Sequence, residues 1–195
     1  MNSLSLKELK SALRSNDGKP KVLLFDPTDE SKDKAFIDSL SDLTPQVKID
    51  FQLYDLDKRD SLFYIYLDLK YFALEIAKEL KNEQLKRFID RQFKQGFEWA
   101  KAGSQVPISR FLRGFMEEFQ KTSNKCLWII LANIDVETET SHATIGSIVF
   151  DVITSPFAEN VIVSCDPDSW TDFEKGHDIF ARIASRLRSS VKRLS

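Results

Sequence analysis

The stretch KVLLFDPTDESKD, residues 21–33, indicates the fold class of this chain. Residues 22–25 are four consecutive apolar residues between turn formers, a pattern typical of a strand that is buried on both faces of a sheet. An acidic loop containing a proline follows directly. The apolar residues between Ala35 and Leu43 then recur at the spacing of an amphipathic helix. Strand, loop and helix in this order predict the repeating unit of an α/β domain.

The same alternation continues along the chain on both sides of a long helical stretch. Further strands are predicted at 47–54, 126–131 and 161–163, with helices between them. We therefore expect a three-layer α/β domain with a mostly parallel sheet. Its core spans residues 20–170, and a helical insertion spans 60–122, because the apolar residues from Leu62 onwards recur at spacings of three and four.

The two ends of the chain are predicted to be helical. A short amphipathic helix is expected over 3–15, and a longer terminal helix over 172–194. The terminal helix is rich in basic residues, which predict a solvated face or a docking site for an acidic partner. These basic residues are Arg182, Arg186, Arg188, Lys192 and Arg193.

Composition narrows the class of protein. With 42% hydrophobic and 30% charged residues, the 195-residue chain is typical of one globular domain spanning residues 1–195. A net charge of −2 provides no electrostatic reason to expect nucleic acid. There is no apolar run of about 18 residues and no secretory segment near Met1, so we expect a cytoplasmic protein without a membrane partner. Cys126 and Cys165 are predicted to be reduced core residues.

The loop after the first strand can be compared with the phosphate-binding pattern G-x-x-x-x-G-K-[ST]. Lys32 coincides with the motif lysine. Asp26 and Ser31 replace the two glycines, and Asp33 replaces the hydroxyl that binds magnesium. Glycines let backbone amides converge on an anion, and clustered carboxylates repel a triphosphate. The alternative is an ordinary acidic helix start, in which Asp29 or Ser31 caps the helix.

The strand Leu127–Leu131 runs into Ala132-Asn133-Ile134-Asp135, where a nucleotide hydrolase needs an aspartate that holds magnesium. On these two segments, and on the helical insertion between them, the chain resembles the STAND class of P-loop NTPases. The closest resemblance is to the inactive STAND-like domains of bacterial conflict and signalling proteins. The resemblance implies that Ala132 and Asn133 occupy the places of the acidic pair. It also implies a non-catalytic module that binds a protein partner or self-associates, with no cofactor.

Two other functions remain open. Lys32 could still hold ATP without hydrolysing it. Alternatively, the strand-end carboxylates Asp26, Asp135 and Asp166 could bind Mg²⁺ for phosphotransfer or nuclease chemistry. Further acidic residues near strand ends, which are also common as capping residues, are Asp29, Asp55, Asp57, Glu137 and Asp168.

The predicted helices between 60 and 100 carry many aromatic residues. Their spacing favours core packing or a partner surface over stacking on nucleic-acid bases. If some of these rings are exposed, they form an apolar patch that marks a protein interface. The residues concerned are Phe63, Tyr64, Tyr71, Phe72, Phe88, Phe93, Phe97 and Trp99.

Overall fold

The computed structural model describes residues 6–14, 19–26, 28–41, 43–58, 60–135 and 141–193. These residues form an all-parallel sheet of five strands together with eight α-helices, so the predicted α/β class is confirmed. The strands are β1 (Lys21–Leu24), β2 (Gln46–Asp50), β3 (Trp128–Ala132), β4 (Val161–Cys165) and β5 (Val191–Arg193). The helices are α1 (Leu6–Arg14), α2 (Glu30–Leu40), α3 (Ser61–Glu79), α4 (Glu83–Lys101), α5 (Val106–Thr122), α6 (Ser141–Ile153), α7 (Pro167–Lys175) and α8 (Ile179–Leu187).

The strand order is β2-β3-β4-β1-β5. β1 lies inside the sheet, where Leu23 is in register with Ser164 of β4 on one side and with Lys192 of β5 on the other. β2 and β5 are the two edge strands. The order differs from the two common doubly wound arrangements, in which the first strand has different neighbours.

Helices cover both faces of the sheet, which gives the three predicted layers. On one face, Leu23, Phe25 and Ile162 pack with Phe36 and Leu40 of α2. The opposite face packs against α3 to α8 in a larger core. A strand between two apolar layers must be apolar along its whole length, and β1 is buried at every position.

The segment predicted as a helical insertion forms three helices, α3 to α5, which pack on one another. Tyr66 of α3 stacks on Phe93 of α4 with ring centroids 5.0 Å apart, and its hydroxyl donates to the carbonyl of Gln92 at 2.8 Å. Burial raises the pKa of Tyr66 to about 12. This close approach requires a glycine at position 96, because a Cβ there would collide with the Tyr66 hydroxyl.

The end of the chain differs from the prediction. Instead of one helix over 172–194, the structure has two helices and a strand. α7 ends at Lys175 with Gly176 as its C-cap, and the Asp178 carboxylate caps α8 by accepting hydrogen bonds from the amides of Phe180 and Ala181. Val191–Arg193 then pairs with β1 as an edge strand. Leu194 lies outside the described residues.

Two smaller predictions also need correction. The strand predicted over 47–54 ends at Asp50, and Phe51–Leu53 forms a 3₁₀ turn that buries Phe51. Cys126 is exposed ahead of β3, whereas Cys165 is buried as expected. Of the helix predicted over 3–15, the structure describes Leu6–Arg14. Within the described ranges, no helix combines the length and the apolar character needed to cross a lipid bilayer.

Candidate functional site

A crevice is expected where the helices that follow two adjacent parallel strands pack on opposite faces of the sheet. β1 and β4 meet this condition, because α2 packs on one face and α7 on the other. The carboxyl ends of these strands are joined by a hydrogen bond of 3.1 Å from the amide of Phe25 to the carbonyl of Cys165. The predicted phosphate loop and Asp166 therefore lie at the same end of the sheet.

The start of α2 is capped by a side chain of the chain itself. The Asp29 carboxylate accepts hydrogen bonds from the amides of Ser31 at 3.1 Å and Lys32 at 3.4 Å, and from the Ser31 hydroxyl at 2.6 Å. The hydrogen bond from the Ser31 hydroxyl, together with the two amides and the charge of Lys32, lowers the pKa of Asp29. Amides at a helix start are the groups that bind a phosphate. Because Asp29 already accepts hydrogen bonds from these amides, they are not free to bind a phosphate. The predicted acidic helix start is confirmed.

The remaining predicted loop residues also have internal partners. The ammonium group of Lys32 lies 3.7 Å from the Asp29 carboxylate. Asp26 accepts hydrogen bonds from the Thr28 amide at 2.9 Å and from the Thr28 hydroxyl at 2.7 Å. The amide of Asp33 donates to the carbonyl of Asp29 at 2.9 Å. These residues do not fit a nucleotide phosphate, because the candidate donors already have partners and the surrounding side chains are negative.

Asn133 connects three strands at the carboxyl end of the sheet. Its side-chain nitrogen donates to the carboxylate of Asp50, the last residue of β2, at 2.7 Å. The same nitrogen donates to the side-chain oxygen of Gln52, in the turn after β2, at 3.3 Å. Its backbone amide donates to the Ser164 hydroxyl of β4 at 3.0 Å. Asn133 has a φ of 54°, a left-handed conformation that asparagine tolerates better than most residues. Where the resemblance implies a magnesium-binding acid, this chain has a hydrogen-bond donor.

Asp135 and Asp166 are brought into contact. The backbone amide of Asp166 donates to Oδ2 of Asp135 at 3.0 Å, while Oδ1 of Asp135 is buried and has no hydrogen-bond partner in the described structure. Burial raises the pKa of Asp135, and the nearby Asp166 carboxylate adds to this effect.

Asp166 mainly serves as a helix cap. Its two oxygens accept hydrogen bonds from the amides of Asp168 at 2.8 Å and Ser169 at 3.0 Å, at the start of α7. Although burial opposes ionisation, the hydrogen bonds with Ser169 and Asp168 hold the pKa of Asp166 below its usual value. Asp26, the third candidate metal ligand, is bonded to Thr28 instead. The described part of the chain contains no group of three or more acidic, thiol or imidazole side chains arranged to hold a metal ion.

The thiol of Cys165 is buried beside these acids. It donates to the carbonyl of Asp166 at 3.2 Å. Burial raises its pKa strongly, and the charges of Asp135 and Asp166 raise it further. The thiol therefore stays protonated and is not a nucleophile.

The other predicted acidic residues have surface roles. Asp55 forms an exposed ion pair with Lys58 at 2.8 Å, and Asp57 and Asp168 are exposed. Glu137 lies outside the described residues. The structure also shows a pair that the sequence did not reveal, in which a ring nitrogen of His142 lies 2.8 Å from the Asp178 carboxylate. These two residues are 36 positions apart, so no local pattern links them. The position of Asp178 just before a helix indicates a capping role, but not a contact with His142.

The chain was compared with known proteins. No family model matches it, and no curated protein or solved structure does either.

Proposed function

We propose that this chain is a non-catalytic, protein-binding module: a STAND-like P-loop NTPase domain that no longer binds nucleotide and acts in a bacterial defence or signal-transduction system. The observation that carries the proposal is the position of the Asp29 carboxylate, which accepts hydrogen bonds from the α2 amides that a phosphate would need. A covalently attached anion at this point competes with any free phosphate.

The topology supports P-loop ancestry. A phosphate loop requires a buried strand that leads straight into a helix through a short turn. β1 is such a strand, with partners on both sides, and α2 begins six residues after it ends. The helical insertion α3–α5 lies between β2 and β3, which agrees with the layout that the resemblance implies.

The carboxyl end of β3 supports the absence of catalysis. A magnesium-dependent hydrolase needs an ionised carboxylate at this end of the sheet. Asn133 instead donates to Asp50, and burial raises the pKa of Asp135. This end of the sheet is therefore held together by hydrogen bonds that do not require a metal.

The surface supports a role in protein binding. Several large aromatic side chains of the helical insertion are exposed, including Tyr64 (56%), Tyr71 (63%) and Trp99 (53%). Their neighbours Phe63 and Phe97 pack edge to face at 5.3 Å and form part of the core instead. Aromatic residues are enriched at protein interfaces relative to the rest of the surface.

Titration calorimetry with ATP and GTP, each with and without Mg²⁺, tests the loss of nucleotide binding. We expect no saturable binding in the millimolar range. Saturable binding that Lys32→Ala abolishes and that Lys34→Ala, a neighbouring lysine outside the motif, leaves unchanged would contradict the proposal and favour a nucleotide-binding domain. Mg²⁺ binding that is lost in Asp135→Asn would instead favour the metal-dependent alternative.

A further inference from the structure

The edge of the sheet at β2 carries an acidic and aromatic surface. We define the α3 surface as Leu53 together with a stripe of α3 whose members recur at helical spacing: the exposed Tyr64, Asp68, Tyr71 and Phe72, and the half-buried Glu75. Leu53 is 77% exposed in the turn after β2, and the adjacent Tyr54 hydroxyl donates to the Asp68 carboxylate at 2.7 Å. This hydrogen bond links the turn to the stripe, so the two form one continuous surface.

The α3 surface is acidic as well as apolar. It contains two carboxylates, Asp68 and Glu75, and no basic residue, although the ammonium group of Lys78 lies 3.8 Å from Glu75. Residues 50–79 as a whole carry seven acidic and four basic side chains, a net charge of −3. A partner that covers this surface must therefore offer positive charge together with groups that pack on aromatic rings. Arginine meets both requirements, because its guanidinium stacks on aromatic faces and also pairs with carboxylates.

The opposite edge of the sheet, near β5, carries the complementary positive charge. We define the α8 surface as five basic residues in and after α8: Arg182, Arg186, Arg188, Lys192 and Arg193. Residues 179–193 contain no acidic side chain. In the described part of the chain, Arg188 lies 3.6 Å from Glu174, and the other four basic residues have no acidic partner. Arg182 and Arg186 lie one helical turn apart on the exposed side of α8.

The two surfaces lie at opposite edges of one sheet. The α3 surface adjoins β2, since α3 packs against that strand, and α8 leads into β5 at the other edge. They therefore cannot meet within one chain. We infer that the α3 surface of one copy binds the α8 surface of a second copy, head to tail, an inference that rests on the proposed function as a protein-binding module. Because the two surfaces differ, each bound copy keeps one surface free, and assembly continues to a ring or a filament.

A second copy fits both surfaces better than nucleic acid does. The α3 surface is acidic and repels phosphates, so a nucleic acid would contact the α8 surface alone and leave the exposed rings of Tyr64 and Tyr71 uncovered. With a net charge of −2, the whole chain adds no attraction for a polyanion.

Light scattering of the purified chain across a range of concentrations and salt tests this inference. We expect the apparent mass to rise with protein concentration and to fall as salt is added, since charge pairs at a surface are screened. Two variants each disable one surface: Tyr64→Ser with Tyr71→Ser, and Arg182→Ser with Arg186→Ser. Each should weaken association at least about tenfold, because arginine and tyrosine dominate the affinity of protein interfaces. Lys94→Ser with Lys101→Ser, an exposed basic pair on α4, is the matched control and should associate as the wild type does.

Mixing the two disabled variants is the decisive step. Each variant alone should be monomeric, and the mixture should form a 1:1 dimer and stop there, because one intact contact remains. A wild type that is monomeric at all concentrations overturns the inference, as does a mixture that stays monomeric or a variant that associates as tightly as the wild type. Binding of fluorescent single-stranded RNA that only the arginine variant loses also overturns it.

The calorimetry described above separates this inference from the proposed function. A monomeric wild type that binds no nucleotide removes the head-to-tail contact and leaves the non-catalytic module in place. A head-to-tail assembly that also binds ATP through Lys32 removes the non-catalytic assignment and leaves the contact. Circular dichroism of every variant shows that the exposed substitutions leave the fold intact.

Discussion

The side-chain nitrogen of Asn133 lies 2.7 Å from a carboxylate oxygen of Asp50, although the two residues are 83 positions apart. Asp50 also lies 3.0 Å from the ammonium group of Lys48, so its charge is held between two donors. The hydrogen bond joins the carboxyl ends of the neighbouring strands β2 and β3.

Asn133→Asp should lower the free energy of unfolding by about 1–3 kcal/mol, because two partly buried carboxylates then face each other without the amide donor. Urea denaturation at neutral pH measures the loss. Asp50→Asn combined with Asn133→Asp restores a donor–acceptor pair and should recover part of the stability. If the single variant is as stable as the wild type, the hydrogen bond does not hold the strands.

Asp29→Ala should lower the melting temperature slightly, because α2 loses its N-cap. Because folding lowers the pKa of Asp29, the stabilisation is present above its unfolded value of 3.8 and is lost as the pH falls through the lower folded value. The difference between variant and wild type should therefore disappear in strong acid. Glu30→Ala, an exposed acid in the same first turn, is the matched control; an equal effect would mean that charge near the helix start, and not the cap, is responsible.

Asp135→Asn should stabilise the fold at neutral pH. The pKa of Asp135 is raised by burial, so ionisation of this group opposes folding, and the penalty is absent at pH values below its unfolded pKa. The asparagine keeps an oxygen that can accept from the Asp166 amide and removes the charge. Chemical denaturation at neutral and acidic pH measures the effect, with exposed Asp172→Asn as the control. A variant less stable than the wild type at neutral pH contradicts this prediction.

Gly96→Ala should destabilise the helical insertion by about 1–3 kcal/mol, because the new methyl group collides with the Tyr66 hydroxyl. Tyr66→Phe removes the hydroxyl and should relieve part of this cost in the double variant. Relief will be incomplete, since a Cβ at position 96 would also lie 2.9 Å from Cβ of Pro107. A cost that is the same in both backgrounds would show that the hydroxyl is not the obstacle.

The two cysteines should differ in reactivity towards an alkylating reagent. Cys126 is exposed and should react in the folded protein. Cys165 is buried with a strongly raised pKa and should react only after unfolding. Mass spectrometry of Cys126→Ser and Cys165→Ser, with and without denaturant, assigns the label to each residue. Rapid labelling of Cys165 in the native protein would disprove its burial.

Local patterns predicted much of the fold. The apolar run at Val22–Phe25 and the three-and-four spacing after Leu62 each depend only on neighbouring residues. In the structure, the first corresponds to the strand β1 and the second to the helix α3. The terminal strand Val191–Arg193 was missed because three residues, one apolar and two basic, match the face of a helix equally well. Only its pairing with β1 distinguishes the two.

By itself, the sequence determined the alternation of strands and helices and the acidic character of the loop that follows the first strand, since both are properties of adjacent residues. The tertiary structure alone decided that Asn133 faces Asp50, and that Tyr64 is exposed while Phe63 is packed. The physical reason is that periodicity defines which face of an element is apolar. Which residues meet depends on the strand order and on the packing of helices across the sheet.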